Sequence, residues 1–462
     1  MLNKTKDSLC FYWTALPFWG RLLGRSIIFV FLGVLAMEFN PLGLTETADE
    51  KSEEEVSKIL SPFYPFSDER HDEKIVILLI NDSALDLVSQ LPEPMRITYA
   101  NEWPILYKDH ANVLKTIASN SDPKQIFIDI EFQKIRNTDD TFNYLTRTLK
   151  ALNQKKEIKI LHATGSIKEH IDDEINNQLS IYSTPVFNAW SNKNEMPLYK
   201  KFKDKYIYSP ALKMYENLNT YDTTLTNFNE NMFVFWSDNF NKRLYSQTLG
   251  KECEDRSSFF NNLKRSTIYF AEYLPWFQAE SRYCYAQRVI YLDELQKMLN
   301  KGAVGKEKIK TIFDDATILY AADYIALGDK VYSPVHGTIP GVFYHAMALE
   351  NLLDFKGNYF RSLGKVYDYS LWAIFAIALA FIMATKEKNN SSYILGELKA
   401  SRKLAVILLL LAYIIFIAVL TVLYHVAPAN IINAIGLIPL AWLLFKIEED
   451  CYQKKCLKKD KE

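Results

Sequence analysis

The chain has 462 residues and almost balanced charge, 54 Lys and Arg against 55 Asp and Glu, for a formal net charge of −1. That balance gives no global signal for nucleic acid, and the length allows two or three domains, each with its own core. Five cysteines are too few for a small disulfide-stapled scaffold.

The first apolar run, "IIFVFLGVLAM" from Ile27 to Met37, has Arg21 and Arg25 before it and Glu38 after it. It reads as a retained anchor over residues 26–44, after a cytoplasmic N-terminus over 1–25. A cleaved signal peptide is the alternative, against which no small-x-small cleavage site follows. Residues 45–58 are acidic and lack apolar periodicity, which predicts a solvated linker or a frayed helix.

A domain over residues 59–366 follows. "KIVILLIND", Lys74 to Asp82, is a continuous apolar run of the kind a strand buried on both faces requires. "HANVLKTIA" then has helical spacing, and "QIFIDIEF" is a second buried strand. Strand, helix, strand implies a right-handed crossover and a parallel pair, expected to be neighbours. Glu157 to Thr164 is a third strand. From Gly165 to Val289 the periodicity is too weak to order the elements. Val289 to Gly302 predicts a helix closed by Gly302, and Ala316 to Asp323 another buried strand.

Three more apolar segments close the chain. Residues 367–385, uncharged from Tyr369 on, and the uncharged 404–424 and 428–445 are near the length needed to cross ~30 Å of hydrocarbon, with a loop at 386–403 between the first two and a basic tail at 446–462. Lys386, Lys388, Lys399, Arg402 and Lys403 fill the loop, and six lysines lie in the tail. With Arg21 and Arg25, these place both chain ends inside and the large domain outside. The fold class predicted is therefore an α/β exported domain with a mainly parallel sheet, carried by one N-terminal and three C-terminal membrane helices. The expected location is the inner membrane, multi-pass, with the large domain in the periplasm. Cys10, Cys451 and Cys456 then fall on the reducing side. Cys253 and Cys284 are the pair outside, either two thiols or a disulfide worth about 3 to 4 kcal/mol in the chain-entropy model.

Self-contained catalytic motifs are missing from the sequence: it has no His-Glu-x-x-His and no Gly-x-Ser-x-Gly, and "GAVGKE" misses the phosphate-loop spacing. The expectation is a protein that is not an enzyme, with no cofactor and no metal. Asp82 and Asp129 fall at the C-terminal ends of predicted strands, the edge where open α/β sheets collect ligands. With Trp103 they form the candidate pocket for a small polar or cationic ligand. The bland alternative is helix capping and loop bracing. In "HGTIPGVFYHA", Pro340 and Gly341 fit the centre of a type II turn. His345 shares a helical face with Val342, Ala346, Leu349 and Leu353, so it reads as a core histidine rather than a metal ligand.

Several stretches together carry a resemblance: "IVILLINDSAL", "WP" at Trp103 and Pro104, "IFIDIEF", "YSPAL", "LDELQKMLNKG" and "SPVHGTIPGVFYHAMALENLL". With one apolar segment before and three after, the chain resembles the CHASE type 2 family, extracellular sensory domains associated with cyclases and histidine kinases. The resemblance implies a sensor or receptor that detects a small ligand or an envelope state and signals through its membrane helices. The family's "WP" is usually followed by an aromatic, a Pro and an Arg, whereas Ile105, Leu106 and Tyr107 follow here. The strand at Ala316 usually ends in glycine, whereas Tyr320, Ala321 and Ala322 stand here. The output domains of complete receptors are not recognisable after the last span. The partners implied are thus a separate cytoplasmic or membrane output protein, membrane lipids at the basic tail, and a second copy of the chain; nucleic acid is not among them. The competing class is a structural or assembly component of a membrane complex.

Overall fold

A computed structural model describes residues 12–13, 15–39, 44–64, 73–132, 135–165, 174–188, 195–202, 205–219, 231–238, 258–272, 285–324, 329–385, 395–428 and 431–459. The chain forms two compact units, Ser57–Arg361 and a second made of Met1–Val56 with Ser362–Glu462. Cys253 and Cys284 lie outside the described residues.

The first unit is built on a six-stranded sheet. Its strands are β1 (Lys74–Ile80), β2 (Gln125–Asp129), β3 (Lys159–Ala163), β4 (Thr184–Val186), β9 (Arg288–Tyr291) and β10 (Ala316–Ala322), in the order β4-β3-β2-β10-β1-β9. Every neighbouring pair is parallel. Here β1 and β2 are not neighbours, contrary to expectation, because β10 enters between them. All seven residues of β10 are buried, which suits a central strand covered on both faces. A second difference concerns Val289 to Tyr291, predicted as helix but paired as strand beside β1. Val289 and Ile290 favour the pleated conformation, and the helix α9 (Leu292–Asn300) starts only afterwards. Gly302 follows it at φ +60°, a conformation glycine adopts without steric cost.

The crossovers β1 to β2, β2 to β3, β3 to β4 and β9 to β10 all step in the same direction across the sheet. Right-handed connection therefore puts all their helices on one face. These include α3 (Asp82–Ser89), α4 (Tyr107–Asn120), α5 (Phe142–Lys156), α6 (Glu174–Leu179), α9 and α10 (Gly302–Phe313). One cluster accordingly joins Val76, Leu78, Ile126, Ile128, Ile318 and Tyr320 of the sheet to Leu114, Leu145, Leu295 and Ile309 of the helices. The alternate strand residues, among them Ile77, Phe127 and Leu319, point the other way. That second face is covered by α7 (Pro210–Leu218) and α11 (Val342–Phe355). The excursion between β4 and β9 adds two antiparallel ribbons, β5 (Glu195–Pro197) with β8 (Asn231–Phe233) and β6 (Tyr199–Phe202) with β7 (Lys205–Tyr208), and the helix α8 (Phe259–Ala271). A hairpin of β11 (Lys330–Ser333) and β12 (Gly337–Pro340) leads into α11.

The second unit gathers α1 (Phe18–Phe39), most of α2 (Leu44–Leu60), α12 (Lys365–Thr385), α13 (Leu395–Tyr424) and α14 (Ile431–Lys459). Among the described residues, three helices are long and apolar enough to cross a membrane: Phe18–Leu35, Lys365–Met383 and Lys403–Tyr424. The segment 428–445, expected as a fourth span, enters α14. There the apolar run meets Lys446, Glu448, Glu449 and Asp450 within one continuous helix. The acidic stretch 45–58 is helical within α2, supported by Lys51 paired with Glu54 and Glu55. Ser52, 2% exposed, accepts hydrogen bonds on Oγ from the Ile431 and Ile432 N–H groups at 3.1 Å each. It thereby satisfies two of the N–H groups that the start of α14 leaves open.

Polar contacts at both helix ends define their directions. Glu38, near the end of α1, meets Lys365 and the Tyr369 hydroxyl at the start of α12. Arg25, near the start of α1, pairs through both Nε and Nη2 with Glu448 of α14. From Ile431 to Glu448 a helix rises about 26 Å, close to the hydrocarbon thickness. At Gly33 a Cβ would overlap the Trp372 indole, so the absent side chain lets α1 and α12 approach closely. Cys451 is buried and disulfide-bonded, where the sequence reading set it on a reducing side.

Candidate functional site at the C-terminal edge of the sheet

All six parallel strands end at one edge, and the candidate residues gather there on two sides. On the helix-rich side, β1 ends at Asn81, whose side chain caps α3 by accepting from the Ala84 N–H at 2.8 Å. Asp82 follows in the first helical turn and is exposed, as is Asp86 one turn on. Beyond β10, the Asp323 N–H donates to the Ile80 carbonyl at 2.7 Å, which carries the ladder outwards and sets Tyr324 against Trp103. Their ring centroids are 4.9 Å apart with planes tilted 33°. Trp103 also meets the His110 ring edge-on at 6.0 Å, and His110 Nδ1 lies 2.9 Å from the Tyr320 hydroxyl.

Tyr324 is 5% exposed, and its hydroxyl has no hydrogen-bond partner among the described residues. Burial, then the charges of Asp82, Asp323 and Asp86, push its phenol well above the usual tyrosine range. His110 is held neutral, its pKa lowered to about 3 by burial and by the Arg136 charge. Arg136 reaches this site from the loop after β2. Its Nη1 and Nη2 donate to the carbonyls of Pro104 and Ile105 at 3.3 and 2.7 Å, and its guanidinium lies 4.3 Å from the Tyr107 ring centre. A guanidinium thus braces the Trp103-Pro104 segment, supplied from position 136 and not from the residues directly after the "WP".

The opposite side of the edge holds Asp129. Its neighbours Ile128 and Ile130 belong to the helix-rich core, so alternation turns Asp129 the other way with Phe127. Asn188 Nδ2 donates to Asp129 Oδ1 at 3.0 Å, and His345 Nε2 of α11 lies 3.9 Å from Oδ2. The His345 ring packs edge-on against Phe127 at 5.4 Å. Burial, then the nearby Asp329 charge, raises the Asp129 pKa to about 8, and burial lowers that of His345 to about 3. The 3.9 Å separation exceeds the 2.7–2.9 Å of a charge-assisted bond. Burial thus favours the uncharged form of each, a carboxylic acid beside an imidazole.

Gly341 differs from expectation. Its φ of −58° and ψ of −30° are right-handed helical, so Pro340-Gly341 ends β12 and starts α11 without a type II turn. The glycine is required for another reason: a Cβ there would overlap Asp329 Oδ1. Replacing Gly341 with Ala is expected to displace that carboxylate, costing on the order of 1 kcal/mol. It also moves a like charge away from Asp129, whose pKa should fall. Thermal melting against pH reads both effects.

The sequence grouped Asp82, Trp103 and Asp129 in one pocket. The structure brings Asp82 and Trp103 together through Tyr324 and turns Asp129 to the other side, where His345 joins it. Tyr324, Arg136, Asn188 and Asp329 were missed. Tyr324 had a usable signal, since it stands just past the end of a central buried strand; the other three come from loops without periodicity. No group of three or more His, Cys, Asp or Glu among the described residues is placed to hold a metal.

A parallel sheet with its C-terminal edge lined by aromatic and acidic side chains and helices on both faces defines an α/β module. The chain belongs to the CHASE2 domain family, whose model matches residues 27–384, from within α1 through the whole α/β unit to α12. This is a family of sensory domains. No curated protein and no solved structure matches the chain.

Proposed function

We propose that the protein is a membrane-anchored sensor. Its α/β unit faces the periplasm, detects a ligand or an envelope state, and signals to a separate output partner through the helices, with no catalytic step. The observation that carries this reading is the extent of the family match, which takes in α1 and α12 along with the sheet. A ligand shifts such a protein only by binding one arrangement better than another. Polar links at both ends of the helices, Arg25 with Glu448 and Glu38 with Lys365, offer contacts that two arrangements can exchange. All four helices are taken to cross the membrane, α14 with its charged half at the inner face.

Transcript profiles of cells carrying the full chain should differ from those of cells in which residues 57–361 are replaced by an unrelated fold. Identical profiles overturn the sensor reading. A cysteine placed at Val304, 76% exposed on α10, should react with a membrane-impermeant thiol reagent before the inner membrane is broken. Reaction only after lysis overturns the exported placement. One observation favours the alternative, an assembly component: α8 exposes Phe259, Phe260, Leu263 and Phe270, an apolar face of the kind that marks interaction surfaces. A scaffold should hold its partners stoichiometrically in crosslinked preparations without any stimulus.

A further inference from the structure

We propose that the Trp103 and Tyr324 end of the sheet binds an organic cation, its ammonium head lying against the open face of the Trp103 ring and between the Asp82 and Asp86 carboxylates. This deepens the sensor reading and rests on it for biological meaning. Three independent features converge. First, Trp103 is only partly buried and stacks on Tyr324 at 4.9 Å, so the outer ring offers a face whose quadrupole attracts cations.

Second, the Tyr324 hydroxyl is buried and has no partner among the described residues. Buried polar atoms are nearly always satisfied, and leaving one unmet is costly. An occupant carrying a hydroxyl or an N–H group would meet it.

Third, the fixed charge is acidic. Asp82 and Asp86 are one helical turn apart and so share a face of α3; both are exposed, and neither joins an ion pair among the described residues. The neighbouring acids differ: Lys330 engages Asp323, Lys297 engages Asp293, and Glu294 accepts from the Tyr291 N–H. The positive N-terminus of α3 is already offset, because Asn81 caps Ala84 and Asp82 lies in the first turn. An anion would meet the two free carboxylates, and a neutral ligand would gain nothing from them.

The test uses the full chain in detergent and calorimetric titration with choline, spermidine and 3,3-dimethylbutan-1-ol, the last a neutral isostere of choline. At least one of the two cations should bind saturably, and choline should bind at least about tenfold more tightly than its isostere. Asp82→Asn combined with Asp86→Asn should weaken cation binding about tenfold with the melting temperature within a degree or two of the parent, and Trp103→Leu should weaken it about tenfold while also lowering the melting temperature, since the indole packs on the core. Tyr324→Phe should weaken binding while leaving the free protein as stable or more stable; a hydroxyl with only a structural role would leave affinity unchanged. Saturable binding of neither cation, equal binding of choline and its isostere, or cation binding indifferent to the paired Asp variants overturns the proposal. A cation that binds here while replacement of residues 57–361 leaves transcripts unchanged keeps the site and removes the sensor reading. The opposite pattern keeps the sensor and removes the site.

Discussion

Thermal stability of the full chain should fall as pH rises from about 6.5 to 8, a fall that belongs chiefly to Asp129. The folded state raises the Asp129 pKa from 3.8 to about 8, so the native protein holds a proton there that the unfolded chain has lost. Stability conferred by that proton is present in full below the unfolded value and declines as pH rises towards 8. Histidines act in the other direction. His345 and His110 are lowered to about 3 and His162 to about 4, all from 6.5 and all chiefly by burial. Their contribution is present above the unfolded value and is lost as pH falls through the folded ones. Between about pH 4 and 6.5 the three histidines are opposed by Asp129 and also by Asp329 and Asp109, whose carboxyl pKa values burial raises too, so the two sets of contributions offset one another. Above 6.5 the histidine contributions are complete and Asp129, with Asp329 beside it, sets the slope, up to about 1.4 kcal/mol per pH unit for each carboxyl that titrates there. Asp129→Asn keeps the shape and carries no proton to lose, so its melting temperature should fall less from pH 6.5 to 8 than that of the parent. A parent profile already level across that interval would mean that Asp129 is ionised against a protonated His345, and the neutral-pair assignment would fail.

The fold was legible where burial imposes a pattern. Continuous apolar runs at Lys74, Gln125 and Ala316 announced strands, because a strand covered on both faces has no polar side to interrupt it. Their order was not legible. Nothing local in β10 says that it enters between β1 and β2, since that placement follows from the return of the chain after β9. The candidate site was half legible. Asp82 and Trp103 could be placed at the right edge, but their link, Tyr324, becomes visible only once β10 stands beside β1. Asp129 was assigned to the wrong side because its direction depends on pleat parity, and a slip of one residue reverses the face. The sequence leaves the acidic segment 45–58 between linker and frayed helix, and the helix is what forms: Ser52 and Val56 are buried, and a helix with a narrow buried face leaves little periodicity.

Loss of Asn351 should be among the most damaging single changes in the α/β unit, costing about 2–4 kcal/mol. This residue is fully buried on α11, on the same helix as His345. Its Oδ1 accepts from the Phe235 N–H at 2.9 Å, and its Nδ2 donates to the carbonyls of Phe235 and Met347 at 2.9 Å each and to the Tyr64 hydroxyl at 3.2 Å. One amide thus stands in for a strand, pairing both backbone groups of Phe235. Phe235 itself is fully buried and stacked on Tyr64 and Phe360. In Asn351→Ala the Phe235 N–H and C=O remain buried with the amide gone, and the apolar surroundings do not replace it with water. In a unit of this size the melting temperature should fall by about 3–6 °C. Asn219→Ala is the control, because that side chain bonds only to the Tyr215 carbonyl on its own helix, and its effect should stay within about 1 kcal/mol. Equal melting of Asn351→Ala and the parent would show that Phe235 finds other partners. A selective loss would identify the Asn351 amide as the group that holds the Phe235 backbone against α11.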